Sequence, residues 1–253
     1  MSRGVTSVTD LASELSALPA VRGRFPWPDH EYVKGWGIFA LPFDSGHVLA
    51  LHVYPENDFG PYRSLWHRDP AGNWSIYVDG ARLDTACPRY FGAACERTGF
   101  AHIELTWTGP RSLQVVMDAP SLRWTLTASE NAALRLVNPI SAILPLATWR
   151  PQLLVRSREL LARALGMGNM RLSGTMPSGH VGTLMPRRMY LIERSTAILA
   201  GVDFGAPVHL RENPRIGKGP LPSRGVLAIG GAAWRIADRA EYERTRAETA
   251  PTT

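Results

Sequence analysis

The sequence predicts a mainly β protein: an antiparallel barrel, or a two-part β-barrel or sandwich, with an inserted helical hairpin. Three observations support this fold class. Apolar and polar residues alternate with period two over most of the chain, as in a sheet with one solvated face. Turn-forming segments separate these runs, since the 253 residues include 23 Gly and 20 Pro. The chain lacks a strand–helix–strand alternation, which excludes a doubly wound parallel sheet.

Residues 1–35 are expected to form an N-terminal helix and an extended strap. Apolar residues at helical spacing predict a helix over Ser7–Leu18, and Ser7 and Asp10 have the spacing of a capping box. Two prolines make the segment 25–28 rigid, so we expect it to lie extended on the body of the protein.

The first β half, residues 36–130, is expected to contain seven strands. Turn residues such as 69–73 and the Gly-Pro pair at 109–110 separate them. In Ala101–Thr108 an apolar residue alternates with a polar one throughout. The predicted strands are Trp36–Pro42, His47–Tyr54, Tyr62–His67, Trp74–Asp79, Ala101–Thr108, Ser112–Asp118 and Leu122–Ala128.

Residues 131–168 are expected to form the helical hairpin. Its first helix is predicted at Ala132–Leu144, with a break at Pro139. Its second is predicted at Pro151–Leu165, because proline favours the start of a helix and a glycine follows its end. Arginines alternate with leucines in this second helix, and we interpret the arginines as its solvent-exposed face.

The second β half covers residues 169–237, and residues 238–253 are expected to be a flexible charged tail with a frayed helix. The strands of this half again follow runs of apolar residues between turn signals. The predicted strands are Met170–Met176, Gly182–Ile192, Ala197–Val202, Val208–Arg211 and Gly225–Ile236.

The net charge is +6, and all basic residues except Lys34 and Lys218 are arginine. Arginine binds phosphate well, but here it is scattered and no nucleic-acid-binding motif accompanies it, so we expect no nucleic-acid partner. The start of the chain has no apolar signal region, and the longest apolar stretch, 137–149, is too short for a transmembrane segment. We therefore expect a cytoplasmic protein, and its oligomeric state stays open.

The two cysteines, Cys87 and Cys95, do not have the spacing of a zinc site. We expect packed free thiols, although one disulfide across the short loop is an alternative. The chain also lacks a nucleophile elbow and a phosphate-binding loop. We therefore expect neither a metal nor a cofactor.

The richest cluster of polar and aromatic residues extends from His52 to His67. Glu56 or Asp58 is a candidate general acid, because burial among aromatic rings raises the pKa of a carboxyl group. His67 would orient this acid or act as a base. The alternative interpretation is a turn whose polar residues only end two strands.

Aromatic and methionine residues suggest an apolar cavity, because methionine fills adaptable pockets and five methionines fall between Met167 and Met189. Ordinary core packing is the alternative for each of these residues. The candidate substrate-binding residues are Trp36, His52, Tyr54, Tyr62, Trp66, Met176 and Met185.

The run from Trp36 to Asp79, with Trp36-x-x-Phe-Ala-Leu-Pro and Trp74-Ser-Ile-Tyr-Val, resembles lipocalin-like (calycin) proteins of the hydroxyneurosporene synthase and lipocalin-fold cyclase type. The resemblance implies a lipocalin-like barrel that hydrates or cyclises polyenes or polyketides by acid catalysis, with Glu56 or Asp58 as the acid. The chain is shorter than the two-barrel members, so one barrel and two barrels both stay open.

These observations lead to three hypotheses of function. The first is a cofactor-independent enzyme of secondary metabolism, a lyase or isomerase, that encloses a polyene, terpenoid or polyketide-like molecule and promotes its hydration, isomerisation or cyclisation. The second is a non-catalytic carrier of a hydrophobic ligand. The third is an Arg-rich protein that docks on nucleic acid or a membrane, and the scattered arginines argue against it.

Overall fold

The computed structural model describes residues 10–22 and 27–250, and this part of the chain is mainly β. The strands are β1 (Val21–Arg22), β2 (His30–Pro42), β3 (Val48–Asn57), β4 (Tyr62–Arg68), β5 (Trp74–Asp79), β6 (Arg97–Phe100), β7 (Ile103–Gly109), β8 (Ser112–Met117), β9 (Leu122–Ser129), β10 (Ser173–Thr175), β11 (Val181–Leu199), β12 (Val202–Asp203), β13 (Arg215–Ile216), β14 (Gly219–Pro220) and β15 (Val226–Arg235).

Five α-helices and three short 3-10 turns accompany these strands. The helices are α1 (Leu11–Ser16), α2 (Pro88–Phe91), α3 (Ala132–Ile143), α4 (Gln152–Ala164) and α5 (Arg239–Glu248). The 3-10 turns are Leu83–Thr85, Gly92–Ala94 and Leu146–Trp149.

One strongly curled sheet contains every described strand except β13 and β14. Its order is β6-β5-β4-β3-β2-β15-β11-β9-β8-β7, with β1, β10 and β12 added at the sides. The sheet is mixed, because β5 pairs with β6, and β1 with β3, in parallel. The mainly β prediction is confirmed, whereas the purely antiparallel sheet is not.

β6 and β7 are the two ends of this strand order. They are also neighbours in the sequence, because only two residues separate them. Arg63 of β4 donates a hydrogen bond to the carbonyl of Ile103 at 2.7 Å. The amide of Ile103 in turn donates to Asp79 of β5 at 3.1 Å. The segment 97–109 therefore contacts both ends of the sheet and gives it a concave and a convex side.

β15 lies between β2 and β11, so strands of the two predicted β halves share one sheet. Its pairing with β2 extends from His30 opposite Arg235 to Phe39 opposite Val226. The alternation of residues predicted both strands, but it does not specify which strands pair.

β11 is one strand of 19 residues, so the prediction of two strands separated at 193–196 was wrong. Its first half pairs with β15 and its second half with β9. The charged residues Glu193 and Arg194 are exposed, and the pairing with β9 is irregular between Ile192 and Arg194. This bulge keeps both charges in solvent without ending the strand.

Three other predicted elements differ from the structure. Val208–Arg211 is not a strand, because Val208 donates to Pro42 while Leu210 donates to Ser223, and these two partners form no ladder. The predicted strand Met170–Met176 is reduced to β10. The predicted break at Pro139 is absent, since α3 continues through this residue.

The chain termini also differ from prediction. α1 begins at Leu11 with Asp10 as its N-cap, and Ser7 lies outside the described residues, as do residues 25 and 26 of the predicted strap. The tail forms α5 with Tyr242 and Thr245 buried, so this helix is packed instead of frayed.

The concave side of the sheet is packed with side chains, apart from an open space at one end that is described below. This core includes Trp36, Leu51, Leu65, Trp124 and Leu227. The convex side has two covers. Residues 83–95, which we call the loop cover, pack with Tyr54, Trp66 and Trp234. Residues 132–164, the helical cover, pack on β11 through α3, and Leu134, Trp149, Val155 and Ala162 share one apolar cluster with this strand.

Candidate functional site

Asp58 follows the end of β3 and is buried. Its Oδ2 accepts hydrogen bonds from the amide of Tyr32 at 3.1 Å and from the hydroxyl of Tyr242 at 2.9 Å. Burial raises the pKa of this carboxyl group to about 6, in opposition to these two hydrogen bonds. Asp58 borders none of the cavities described below, and it connects α5 to the sheet.

Glu56 lies two residues earlier, on β3, and forms an ion pair with Lys34 of β2 at 3.0 Å. Both residues border a cleft of about 300 Å³ at the mouth of the curled sheet, where α1 packs. Tyr32 and Arg187 also border this mouth cleft. Glu56 is therefore the one predicted acid that borders a cleft.

His67 lies far from both acids. It is paired with Leu49 of β3, which is seven residues from Glu56 and thus roughly 20 Å away along the strand. Its ring stacks with His47 and Phe204. Burial and the neighbouring His47 lower the pKa of His67 to about 4. The three candidate catalytic residues therefore do not form one site.

Four aromatic candidates lie together and mainly pack against one another. They are His52, Tyr54, Tyr62 and Trp66. The rings of His52 and Trp66 are 4.6 Å apart, and those of Tyr54 and Tyr62 are 5.4 Å apart. All four are buried, and burial lowers the pKa of His52 to about 3. The thiol of Cys87 contacts Tyr62 under the loop cover. Both cysteines are free thiols in the structure, as expected.

An apolar groove lies on the convex side, between the sheet and the helical cover. Its narrow part, about 40 Å³, is lined by the predicted residues Tyr54 and Met185, and also by Trp36, which belongs to the core of the concave side. Its wide part, about 220 Å³, is lined by residues of both helices, including Ile140 and Leu161. We call the two parts together the outer groove. They share the lining residues Met170, Leu172, Pro186 and Met189.

The outer groove and the mouth cleft adjoin at β2, β11 and β15, and Gly35, Met185 and Gly230 are among the residues that line both. Lys34 and Gly35 are adjacent on a strand and therefore point to opposite faces. Gly35 pairs with Gly230 at this place, and a Cβ atom on Gly35 would lie 2.0 Å from the carbonyl oxygen of Val53. The two spaces are therefore neighbours that meet at the backbone of this glycine pair.

The sequence pointed to part of this groove. The density of methionines was the signal, and Met170, Met185 and Met189 line the groove as that signal suggested. Met176 does not, because it packs beside the loop cover at the turn after β10. The sequence did not predict that residues of α3 and α4 line the groove. The alternation of leucine and arginine does not specify which side of a helix is covered.

A second cavity at the mouth of the curled sheet has a volume of about 600 Å³. It lies beside α1 and is lined by Trp36, Tyr62, Arg63 and Trp107. Within the described ranges, no three His, Cys, Asp or Glu side chains are placed to hold a metal ion. The helices of these same ranges are too short or too polar to cross a membrane.

Comparison with known proteins does not indicate a function. The fold, the outer groove and the mouth cleft are therefore the basis for a proposal. No family model matches the chain, and neither a curated protein nor a solved structure matches it.

Proposed function

We propose that the protein binds an apolar, chain-like small molecule in the outer groove and carries it without chemical change. The observation that supports this is the composition of the groove wall. All its lining residues are apolar except Tyr54, Ser141 and Arg158. A groove with so few polar groups binds apolar ligands in preference to polar ones. Each CH₂ group of the ligand that is buried there contributes about 0.8 kcal/mol to the free energy of binding.

The absence of acid–base groups from this wall favours a carrier over an enzyme. A general acid must lie within hydrogen-bond reach of the reacting atom. Neither Glu56, Asp58 nor His67 borders the outer groove. A ligand held there would therefore leave unchanged.

The shape of the groove favours a flexible chain over a rigid ring system. The wide part of about 220 Å³ continues into a narrow part of about 40 Å³. Methionines border the constriction, and their flexible thioether side chains can adapt to the end of a chain. We infer that an alkyl or isoprenoid chain suits this constriction better than a fused ring system does.

Titration with cis-parinaric acid, a fluorescent polyene fatty acid, tests the proposal. Met189→Trp would fill the place where the two parts of the groove meet, and we expect at least about tenfold weaker binding. Met176→Trp is the matched control, because Met176 is also half-buried but lies beside the loop cover. Equal affinity of the two variants and the wild type would contradict the proposal.

One observation favours a second function, the acid-catalysed hydration, isomerisation or cyclisation of a polyene. Glu56 borders the mouth cleft together with Tyr32 and Lys34, so this cleft combines a carboxyl group with space for a ligand. Native mass spectrometry of the purified protein distinguishes the two functions. A carrier retains a ligand of constant mass, whereas an enzyme changes its mass or its chromatographic retention, and Glu56→Gln abolishes that change.

We also propose that the curled sheet is a lipocalin-like barrel, with the segment 97–109 completing it. The contacts of Ile103 with β4 and β5 support this. The packed concave side departs from the ligand-binding interior that the resemblance implies. An experimental structure with a continuous hydrogen-bonded ladder from β5 through 97–109 to β8 would establish the barrel.

A further inference from the structure

We propose that the outward faces of α3 and α4 attach the protein to the surface of an anionic lipid bilayer. Twelve large apolar side chains are exposed among the described residues, and seven of these belong to the two helices. We call these seven the apolar patch. They are Leu136, Ile140 and Ile143 of α3, and Leu153, Leu154, Leu160 and Leu161 of α4.

On α4, Leu153 and Leu160 of the apolar patch are opposite the side that packs into the protein. Val155 and Ala162 are buried and lie seven residues, or two turns, apart. Leu153 and Leu160 have the same spacing and lie about 160° around the helix from them. Leu153 is 78% exposed. A surface helix of a soluble protein normally has polar residues on this side.

α3 has the same arrangement. Leu134 is fully buried, and Ile143, nine residues later and thus about 180° around the helix, is 80% exposed. Ile140 of α3 and Leu161 of α4 both line the wide part of the outer groove. The exposed sides of the two helices therefore border the same groove.

The charges around the patch indicate what it contacts. Residues 131–170 contain five arginines and one acidic residue, Glu159. Arg135, Arg156 and Arg163 are exposed. The carboxylate of Glu159 accepts a hydrogen bond from the amide of Leu172 at 2.7 Å. The surface thus combines apolar side chains with an excess of positive charge, as interfacial helices that bind anionic lipids do.

The same charges argue against a second copy of the chain as the partner that covers the apolar patch. Two such faces in contact would bring arginines of like charge together in a partly desolvated interface. An anionic bilayer accepts the leucines into its acyl region and neutralises the arginines at its headgroups. The attachment does not depend on the carrier function proposed above, although it would place the outer groove at the lipid surface.

Flotation with lipid vesicles tests the attachment. We expect the wild-type protein to bind phosphatidylcholine vesicles that contain about one third phosphatidylglycerol at least tenfold more strongly than vesicles of phosphatidylcholine alone. High salt should reduce this difference, because it screens the attraction between the arginines and the headgroups.

Two triple variants separate the apolar and the charged contributions. The apolar variant carries Leu136→Ser, Ile143→Ser and Leu153→Ser, and its control carries Phe100→Ser, Ile198→Ser and Val202→Ser at exposed sites on strands. The charge variant carries Arg135→Gln, Arg156→Gln and Arg163→Gln, and its control carries Arg97→Gln, Arg123→Gln and Arg194→Gln, which are exposed outside the helical cover. We expect at least about tenfold weaker vesicle binding for each variant and less than about twofold change for each control.

Three results would overturn the proposal. The first is equal binding of the wild type to both kinds of vesicle. The second is an equal loss in a variant and its control. The third is a wild-type dimer that ignores vesicles and that the apolar variant converts to a monomer, because the patch would then be a self-association surface.

Discussion

The two covers of the convex face differ in how they are held. The loop cover is fixed by directional polar contacts: Arg89 forms a buried ion pair with Glu31 at 2.7 Å, and the hydroxyl of Tyr90 donates to the same carboxylate at 2.6 Å. Tyr90 also stacks on Trp234 with 3.8 Å between ring centroids. The helical cover rests mainly on apolar side chains, with methionines beneath it and leucines outside it.

The difference in polar contacts coincides with the position of the outer groove. A buried polar network is rigid, because each group loses a partner when it moves. Contacts between methionines and leucines lack such directionality and tolerate displacement. The side with few directional bonds is the side that contains the outer groove.

Arg89→Ala gives the largest expected loss of stability in this comparison. It would leave the carboxylate of Glu31 buried without its cation, and we expect a loss of about 3–5 kcal/mol in the free energy of unfolding, measured with urea. Arg82→Ala is the control, because its ion pairs with Asp84 and Glu248 are both exposed and should contribute little to stability. Similar losses for both variants would show that burial of the pair is not what fixes the loop cover.

The pH dependence of stability sharpens the comparison through Asp58, which lies beside Phe59 in the loop-cover region, where Arg89 stacks on the Phe59 ring. Its pKa of about 6 in the folded protein is above the ordinary 3.8, so its contribution is present below pH 3.8 and is lost as the pH rises through about 6. Relative to wild type, Asp58→Asn should therefore gain about 2–3 kcal/mol between pH 4 and pH 8. Urea unfolding of both proteins at the two pH values measures this gain. A constant difference would mean that Asp58 titrates normally.

Asn138→Ala tests one polar attachment of the helical cover. The side chain of Asn138 donates to the carbonyl of Met189 at 2.9 Å and accepts from its amide at 2.9 Å. We expect a loss of about 1–3 kcal/mol, because both backbone groups of Met189 lose a partner, with faster amide hydrogen exchange in α3 and at Met189. Asn131→Ala, which removes only the N-cap of α3, should cost about 1 kcal/mol. Unchanged exchange in α3 of the Asn138 variant would exclude this attachment.

Leu153→Ser gives the smallest expected effect. The outward leucine buries little surface in the folded protein, so the free energy of unfolding should change by less than about 0.5 kcal/mol. Val155→Ala, two residues later on the packed side, should cost more than about 1 kcal/mol. A large loss for Leu153→Ser would show that the apolar patch is covered within the protein itself.

Much of the first β half could be predicted from the sequence. β4, β5, β8 and β9 match the predicted strands to within one residue at each end. Their alternating burial creates a period-two pattern, and glycine or proline turns separate most of them. Strand pairing was not predictable, because alternation specifies the faces of a strand and not its neighbours. The placement of β15 between β2 and β11 is the clearest example.

The candidate site was less predictable than the fold. Glu56 and Asp58 are two residues apart, yet Glu56 pairs with Lys34 at the mouth while Asp58 binds Tyr242 beyond the end of the strand. Proximity in sequence does not specify the direction of a side chain where a strand ends. Tyr242 belongs to a segment expected to be flexible, so its contact with Asp58 had no signal apart from a lone aromatic residue in a charged helix.

The pairing of β2 with β15 has a consequence for folding. Trp36 lies opposite Ile229, so the two strands meet across nearly the whole length of the chain. Contacts between such distant segments slow folding, because a large loop must close before they form. During synthesis, β2 leaves the ribosome long before β15 exists, and its free edge is then open to unwanted pairing. The lifetime of this exposed edge depends on how fast the remaining two hundred or so residues are translated.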